Sequence, residues 1–342
     1  MSKNKPTAKT GIIAIAQTAG VAPSTVSRFF NNGQVSAKTR IKIEKAVAKT
    51  GYRPDSRAAS LRSGATNRIG IIIPDAGNPA YAAAMRVFHD QLRQRNYSMV
   101  LGCTYGSVQE EHKLLQYMQQ DHVDGIILYT CEAPQDEISH QTLHQLLEQK
   151  TPVVYVGKQN NLLPTDSLGV DNHQGIDKAI SYLKRIGRKR IAFLSGDVSN
   201  WAYQQRVESF KCAMKINKLK VSAKSILAKG QSTVETGGAL LPVLMDKMPD
   251  VDAIVCSNDL MAIGAMYAAI QFGIKVPEQL AVIGFDDIQM ASLVRPRLTT
   301  IRQPILQIAE QTCQFLLQRL SGEDSEPQSL LFEPELVIRE SA

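Results

Sequence analysis

Seven short apolar runs punctuate the chain from residue 68 onward: RIGIIIP (68–74), YSMVLGC (97–103), GIILYT (125–130), PVVYVGK (152–158), RIAFLSG (190–196), DAIVCSN (252–258) and LAVIGFD (280–286). Runs this short, this apolar and bounded by polar residues predict buried parallel strands. Amphipathic segments near 79–95, 108–121, 136–149, 173–186, 201–217, 235–247 and 259–272 predict helices between them. Strand–helix alternation over this length is the signature of doubly wound α/β architecture. Seven strands crowd one sheet, and the pattern breaks near 159–169 (QNNLLPTDSLG), so two similar lobes are expected.

Before residue 68 the periodicity is different. In TGIIAIAQTAGVAPSTVSRFFN (10–31), Ile12, Ile15, Ala16 and Ala19 recur at helical spacing, with Thr10 as N-cap and Gly20 as stop. Pro23 suits the first turn of a second helix, where its missing N–H costs nothing. That helix turns Val26, Phe29 and Phe30 inward and leaves Ser24, Thr25, Ser27 and Arg28 on its surface. Two short helices joined through a glycine turn form the helix-turn-helix pattern, whose second helix enters the DNA major groove. A third helix runs from a Ser36 cap to Gly51, with Ile41, Ile43, Ala46 and Val47 as its apolar positions.

Charge sharpens this division. The 342 residues carry a net charge of +7. Residues 1–64 hold 12 Lys and Arg against Glu44 and Asp55, whereas the remaining 278 residues hold 27 basic and 30 acidic groups. A basic head on a near-neutral body points to a polyanion partner for the head. Hydrophobic residues make up 44% and charged residues 21%, which supports a packed core. No apolar run approaches the ~18–20 residues of a membrane span, and the polar N-terminus does not read as a secretory signal. The five cysteines, at least 28 residues apart, read as buried thiols rather than a disulfide framework or zinc module.

The blocks AGVAPSTVSRFFN, VSAKTR, GYRPDSRAASLRSGATNRIGIIIPD, IVCSNDLMAIGA, VIGFDD and LTTIRQP occur in that order from about residue 10 to the end. Together they resemble the lactose-repressor/purine-repressor (LacI/GalR) family of bacterial transcription regulators. The resemblance implies a three-helix DNA-binding domain (1–53), a hinge helix and linker (54–66) and a body of two doubly wound, periplasmic-binding-protein-like lobes. The first lobe takes about 67–169 and 303–322, the second about 170–302 and 323–342. Pro23, Ser24 and Arg28 match positions that reach base edges, and a guanidinium reads guanine with two hydrogen bonds. Thr25, Ser27 and Asn31 match phosphate-positioning places. In the hinge, Ala58 and Leu61 match DNA-contacting positions, Leu61 as the wedge that kinks the minor groove. Without the family, residues 54–63 are too short and polar for a stable helix in water, and Leu61 is a linker leucine packing on the body. Two positions depart from the pattern: Ala22 replaces a capping serine, and Asp55 replaces an asparagine.

In doubly wound sheets ligands bind beyond the carboxyl ends of the strands. Asp75, Asn78, Tyr105, Lys158, Asn200, Asn258, Asp259, Asp286 and Asp287 are therefore candidates, with Arg206 on the helix after RIAFLSG. The resemblance singles out Tyr81, Arg206, Asn258, Asp286 and Gln303 as effector contacts. Asn258 and Asp286 also suit strand-end turns, and Tyr81 suits the core. Trp201 suits either a sugar stack or the packing beneath its helix. Gly157, Ser232 and Ala80 replace an acidic residue and two aromatics of relatives, so a less aromatic, roomier pocket is expected, one that disfavours a purine. Lys158 with Arg206 hints at an anionic effector.

The chain holds no P-loop, dinucleotide fingerprint, Gly-x-Ser-x-Gly elbow or His-Glu-x-x-His, and His140 with His144 lacks a third metal ligand nearby. The expectation is a non-enzymatic, cofactor-free, cytoplasmic repressor, associated with the nucleoid when bound. It would act as a homodimer without a C-terminal zipper, on a pseudo-palindromic double-stranded operator. A sugar, sugar acid or sugar phosphate would switch it. A stand-alone sugar-binding protein explains the body but not the basic head. An α/β enzyme on sugars or nucleotides explains the sheets but lacks a catalytic constellation.

Overall fold

The computed structural model describes residues 11–30, 33–51, 65–130, 138–157, 163–196, 198 and 201–342. The expected Thr10 cap, Asn31, Asp55, the hinge with Ala58 and Leu61, Lys158 and Asn200 lie outside the described residues. The chain forms two compact units, Met1–Thr66 and Asn67–Ala342.

The head contains α1 (Ile12–Ala19), α2 (Pro23–Phe30) and α3 (Ala37–Thr50). α1 starts from Gly11 as its N-cap, which makes no side-chain capping bond. Gly20 closes α1 at φ 63°, the left-handed conformation that glycine adopts without strain. The Ser36 hydroxyl accepts the Thr39 N–H at 3.3 Å and caps α3. Ile15, Ala16, Ala19, Val26, Ile43 and Ala46 form the small core, with Phe29, Phe30 and Val47 packed around it. Ile41 is 51% exposed, contrary to expectation. It lies two residues from buried Ile43, about 200° around a helix, so it cannot share that face.

The body contains two six-stranded sheets. The first orders β11-β5-β4-β3-β1-β2, all parallel. Its strands are β1 (Arg68–Ile73), β2 (Ser98–Cys103), β3 (Gly125–Tyr129), β4 (Val153–Val156), β5 (Asp166–Val170) and β11 (Ser329–Phe332). The second orders β12-β10-β9-β8-β6-β7, parallel except for β12. It comprises β6 (Ile191–Ser195), β7 (Ile226–Ala228), β8 (Ala253–Cys256), β9 (Ala281–Asp286), β10 (Thr299–Arg302) and β12 (Glu335–Val337). Without the edge strands contributed near the C-terminus, both sheets run second-first-third-fourth-fifth. That shared order puts a switch point between β1 and β3, and another between β6 and β8.

The helices are α4 (Pro79–Gln94), α5 (Val108–Gln120), α6 (Ile138–Glu148), α7 (Asn172–Arg185), α8 (Trp201–Ile216), α9 (Val234–Lys247), α10 (Asp259–Gln271) and α11 (Ile305–Leu320). α11 crosses back to the first lobe and packs on α4, β3, β4 and β5. Each sheet is covered on both faces, by separate apolar clusters around Phe88 and Leu115 in the first lobe and around Phe210 and Leu241 in the second.

Two boundaries differ from the sequence pattern. The apparent break at 159–169 ends in β5, a strand buried throughout. Its first residue disguises it: Asp166 is 2% exposed. Arg319 from α11 binds both of its carboxylate oxygens, at 2.8 and 2.9 Å, and so satisfies the charge. The return to the second lobe also comes later than residue 323, because Ser329–Phe332 pairs with β5 before the chain crosses to β12.

Candidate functional site

The head presents one polar helix face. Val26 faces the core, while Pro23, Ser24 and Arg28 are exposed and Thr25 and Ser27 are half-buried. Ser24 and Arg28 are one turn apart and share a face. Among the described residues Arg28 has no side-chain hydrogen-bond partner. Gly33 leaves room for its stem, since a Cβ there would lie 2.4 Å from Arg28 Cγ. Lys38, Lys42, Lys45 and Lys49 are exposed along α3, with Glu44 as the only acid among the head's described residues. Ala22 offers α2 only its backbone carbonyl, which accepts the Thr25 N–H at 2.9 Å.

The body's site forms where strand ends from both lobes converge. The first lobe supplies Asn78 and Tyr81 after β1 and Tyr129 and Thr130 at the end of β3. The second supplies Asn172, Tyr203, Arg206, Asn258 and Asp286, and the chain crossing supplies Gln303. Most polar groups are held before any ligand arrives. Asn78 and Asn258 cap α4 and α10, accepting the Ala80 and Met261 N–H groups at 2.9 Å each. Asn258 also donates to the Ser232 carbonyl at 2.9 Å. Arg206 is buried and lies 3.7 Å from the centroid of the Phe285 ring. Its Nε donates to Asn172 Oδ1 at 3.0 Å, and Nη1 donates to the Ser257 carbonyl. Nη2 bonds no other described residue.

Asp286 faces Arg206 at 3.9 Å and accepts from Gln303 Nε2. Burial pushes its carboxyl above the usual range, while Arg206, Gln303 and Asn78 pull it back down. Its φ of 115° is a strained conformation for a non-glycine residue, and such strain concentrates at ligand clamps. Tyr81 meets Tyr129 edge-to-face at 5.4 Å between centroids. Burial raises the phenols of Tyr81 and Tyr203, so both are neutral hydrogen-bonding groups.

Comparison with known proteins gives the chain its family. Residues 12–55 match the model of bacterial regulatory proteins of the lacI family, and residues 180–342 match a periplasmic binding protein-like domain. The transcriptional regulator DegA of Bacillus subtilis is 31% identical over 97% of this chain and 98% of its own. The ribose operon repressor of Escherichia coli is 31% identical over 96% and 98%. The chain belongs to the lacI family of bacterial regulators. Among solved structures, a CelR–cellobiose complex is 28% identical with TM-score 0.72, covering 97% of this chain and 99% of that one. The lac repressor dimer bound to operator and an anti-inducer shares the fold at TM-score 0.82 and 24% identity, covering 97% and 98%.

Within this lacI-family frame, the structure brings Tyr81, Arg206, Asn258, Asp286 and Gln303 around one cavity. Tyr105 stands further out, at the mouth, with Asp75. Two other candidates are structural. Asp259 is fully buried and accepts from Thr300 Oγ1 and, at 2.8 Å, from the Ile288 N–H; burial and then the Asp286 charge raise its pKa well above the usual range. Asp287 is spent on ion pairs with Arg302 and Arg339 at 2.7 and 2.6 Å. Trp201 is not among the residues lining the cavity.

Beside the expected Tyr81, two further aromatics, Tyr129 and Tyr203, line the cavity. Tyr129, Asn172 and Tyr203 escaped the sequence reading, although each carried a signal. Tyr129 closes a strand run, Asn172 follows the overlooked β5, and Tyr203 lies one turn before Arg206 on the same helix face. Among the described residues no cluster of three or more His, Cys, Asp or Glu is arranged to hold a metal, and no helix is long and apolar enough to cross a membrane.

Proposed function

We propose that the chain is a cytoplasmic, non-enzymatic repressor that binds a pseudo-palindromic operator as a homodimer and releases or tightens on it when a neutral sugar fills the cleft. One observation carries the ligand assignment: six fixed hydrogen-bonding side chains from both lobes (Asn78, Asn172, Arg206, Asn258, Asp286, Gln303) converge beside three tyrosines. Alternating donors and acceptors against aromatic faces suit a ring of hydroxyls. Neutrality follows from charge. Arg206 is the only cation lining the cavity among the described residues, and Asp286 already offsets it at 3.9 Å. A carboxylate or phosphate would leave a second anion beside Asp286, so the sugar is favoured over its acid or phosphate ester.

Switching follows from the two-sided site. A ligand held by Asn78 and Tyr81 on one lobe and Arg206, Asn258 and Asp286 on the other binds better when the lobes are close. It therefore shifts the balance between two lobe arrangements. The proposal is tested by anisotropy on random and promoter DNA at two salt concentrations. The full chain is expected to bind both, weakening steeply with salt, and deletion of residues 1–66 is expected to abolish binding. Unchanged DNA affinity after that deletion overturns the regulator reading.

A further inference from the structure

β9 ends in two backbone conformations that non-glycine residues rarely adopt. Asp286 has a φ of 115°, and its neighbour Asp287 has a φ of 55°. Such residues persist only where their surroundings over-determine them. Asp286 belongs to the ligand cavity, whereas Asp287 is not among the residues lining it. Yet the Asp287 side chain is only 9% exposed. A guanidinium holds each of its oxygens: Arg302 Nε donates to Oδ2 at 2.7 Å, and Arg339 Nη2 donates to Oδ1 at 2.6 Å.

Both arginines are themselves fixed. Arg302 is the last residue of β10 and pairs with Asp286 in the parallel register. Its Nη1 donates to Glu335 of β12 at 2.9 Å. Arg339 donates from its backbone N–H to Thr299 Oγ1 at 2.9 Å and from Nη1 to the Leu298 carbonyl at 2.8 Å. One residue beyond Asp287, the Ile288 N–H donates to buried Asp259 at 2.8 Å. Successive residues of the crossing therefore grip successive acids. Arg302 holds Asp287 outside the cavity lining, and Gln303 donates to Asp286 within it.

Resting on the neutral-sugar reading, we infer that Asp287, gripped by Arg302 and Arg339, is a positioning residue for sugar binding. Its two ion pairs hold the strained turn at residues 286 and 287 in the arrangement that keeps the Asp286 carboxylate beside Arg206 and Gln303, facing the ligand. Asp287 itself touches no ligand and acts through Asp286. When the pairs are lost, the turn relaxes and the Asp286 acceptor leaves its place. Ile288 stays anchored by Asp259, so the change is local to the two acids. Sugar affinity thus depends on a charge cluster outside the cavity.

The test is calorimetric titration of the full chain with glucose, galactose, ribose, cellobiose, maltose and lactose, read with whichever of them binds wild type. Asp287→Asn keeps the shape and removes the charge, and is expected to weaken binding at least fivefold. Asp287→Gly is expected to do the same, although glycine adopts a φ of 55° freely. In an Asp286→Asn background, Asp287→Asn is expected to cost less than twofold further, because the group it positions is already altered. The Arg302 side chain is 46% exposed, so its variants fold even where those of Asp287 do not. Arg302→Gln is expected to weaken binding at least fivefold, and Arg302→Lys, which keeps the charge, to stay within twofold of wild type. Asp287→Asn and Arg302→Gln both within twofold of wild type overturn the positioning role. An equal loss in both Asp286 backgrounds overturns it too, since that marks a general effect on the fold. Either result leaves the sugar reading standing. If none of the six sugars binds wild type, the sugar reading falls and this inference falls with it.

Discussion

Arg206→Met keeps most of the side-chain length and removes the charge, and its consequences follow from what Arg206 touches. The guanidinium lies 3.9 Å from the buried Asp286 carboxylate. At an effective dielectric constant near 20, that separation corresponds to about 4 kcal/mol of attraction. The variant also strands the Ser257 carbonyl and Asn172 Oδ1, at about 1–3 kcal/mol for each unsatisfied buried group. Methionine recovers some packing against Phe285. The net loss is therefore placed at about 3–5 kcal/mol, the range for breaking a buried pair. At roughly 2–4 °C per kcal/mol for a body of this size, the melting temperature falls by about 6–20 °C.

The pH dependence carries the sharper check. Burial already raises Asp286 above its unfolded value, and loss of Arg206 raises it further. A carboxylate with a raised folded pKa stabilises most below its unfolded pKa and loses that contribution as pH rises through the folded one. The gap between wild type and variant should therefore widen from pH 5 to pH 8. Urea denaturation followed by circular dichroism at both pH values measures it. Adding Asp286→Asn to Arg206→Met removes the stranded carboxylate and should restore at least 1 kcal/mol at pH 8. A gap independent of pH, or strictly additive single and double variants, would refute the charge-pair account.

Arg28→Ala should erase discrimination between operator and random DNA, costing about 1–3 kcal/mol on the operator alone; equal loss on all sequences in an anisotropy titration would make Arg28 a phosphate contact. Ala22→Ser should supply the missing cap of α2 and stabilise the head by about 1 kcal/mol, read as a higher unfolding midpoint of residues 1–66. Sugar affinity should be flat near neutral pH and decline on acidification from a higher pH than an ordinary carboxylate would give. The reason is that the Asp286 acceptor has a raised pKa and protonation removes it. Asp286→Asn should flatten that profile in calorimetric titrations.

The alternation of apolar runs and amphipathic segments was enough to place seven strands and the helices between them. The strands it missed are those whose burial runs through polar residues or whose length is minimal. β5 opens with Asp166, whose charge is cancelled by Arg319, 153 residues away in sequence. β10 reads Thr-Thr-Ile-Arg, yet Thr299 and Thr300 are fully buried. Ser341 Oγ accepts the Thr299 N–H at 2.8 Å, and Asp259 accepts the Thr300 hydroxyl. β7 has three residues, and the edge strands β11 and β12 are half exposed, so none shows a clear run. In the site, the rule of polar residues after strands found Asn78, Asn258 and Asp286. It also admitted Asp259 and Asp287, because a strand-end carboxylate has the same sequence signature whether it faces a ligand or a partner 15 to 52 residues away. Tyr129 and Tyr203 were hidden because aromatic residues at strand and helix ends are ordinarily core.

The central claim is that filling the cleft changes grip on DNA. Fluorescence anisotropy with a labelled fragment of the chain's own promoter region, titrated with and without the sugar that most raises the melting temperature, tests it most directly. Wild type should shift its operator affinity at least tenfold, whereas Arg206→Met should bind the same fragment within threefold of wild type and show no response to sugar. An operator affinity that is indifferent to a sugar bound in the cleft would contradict the account.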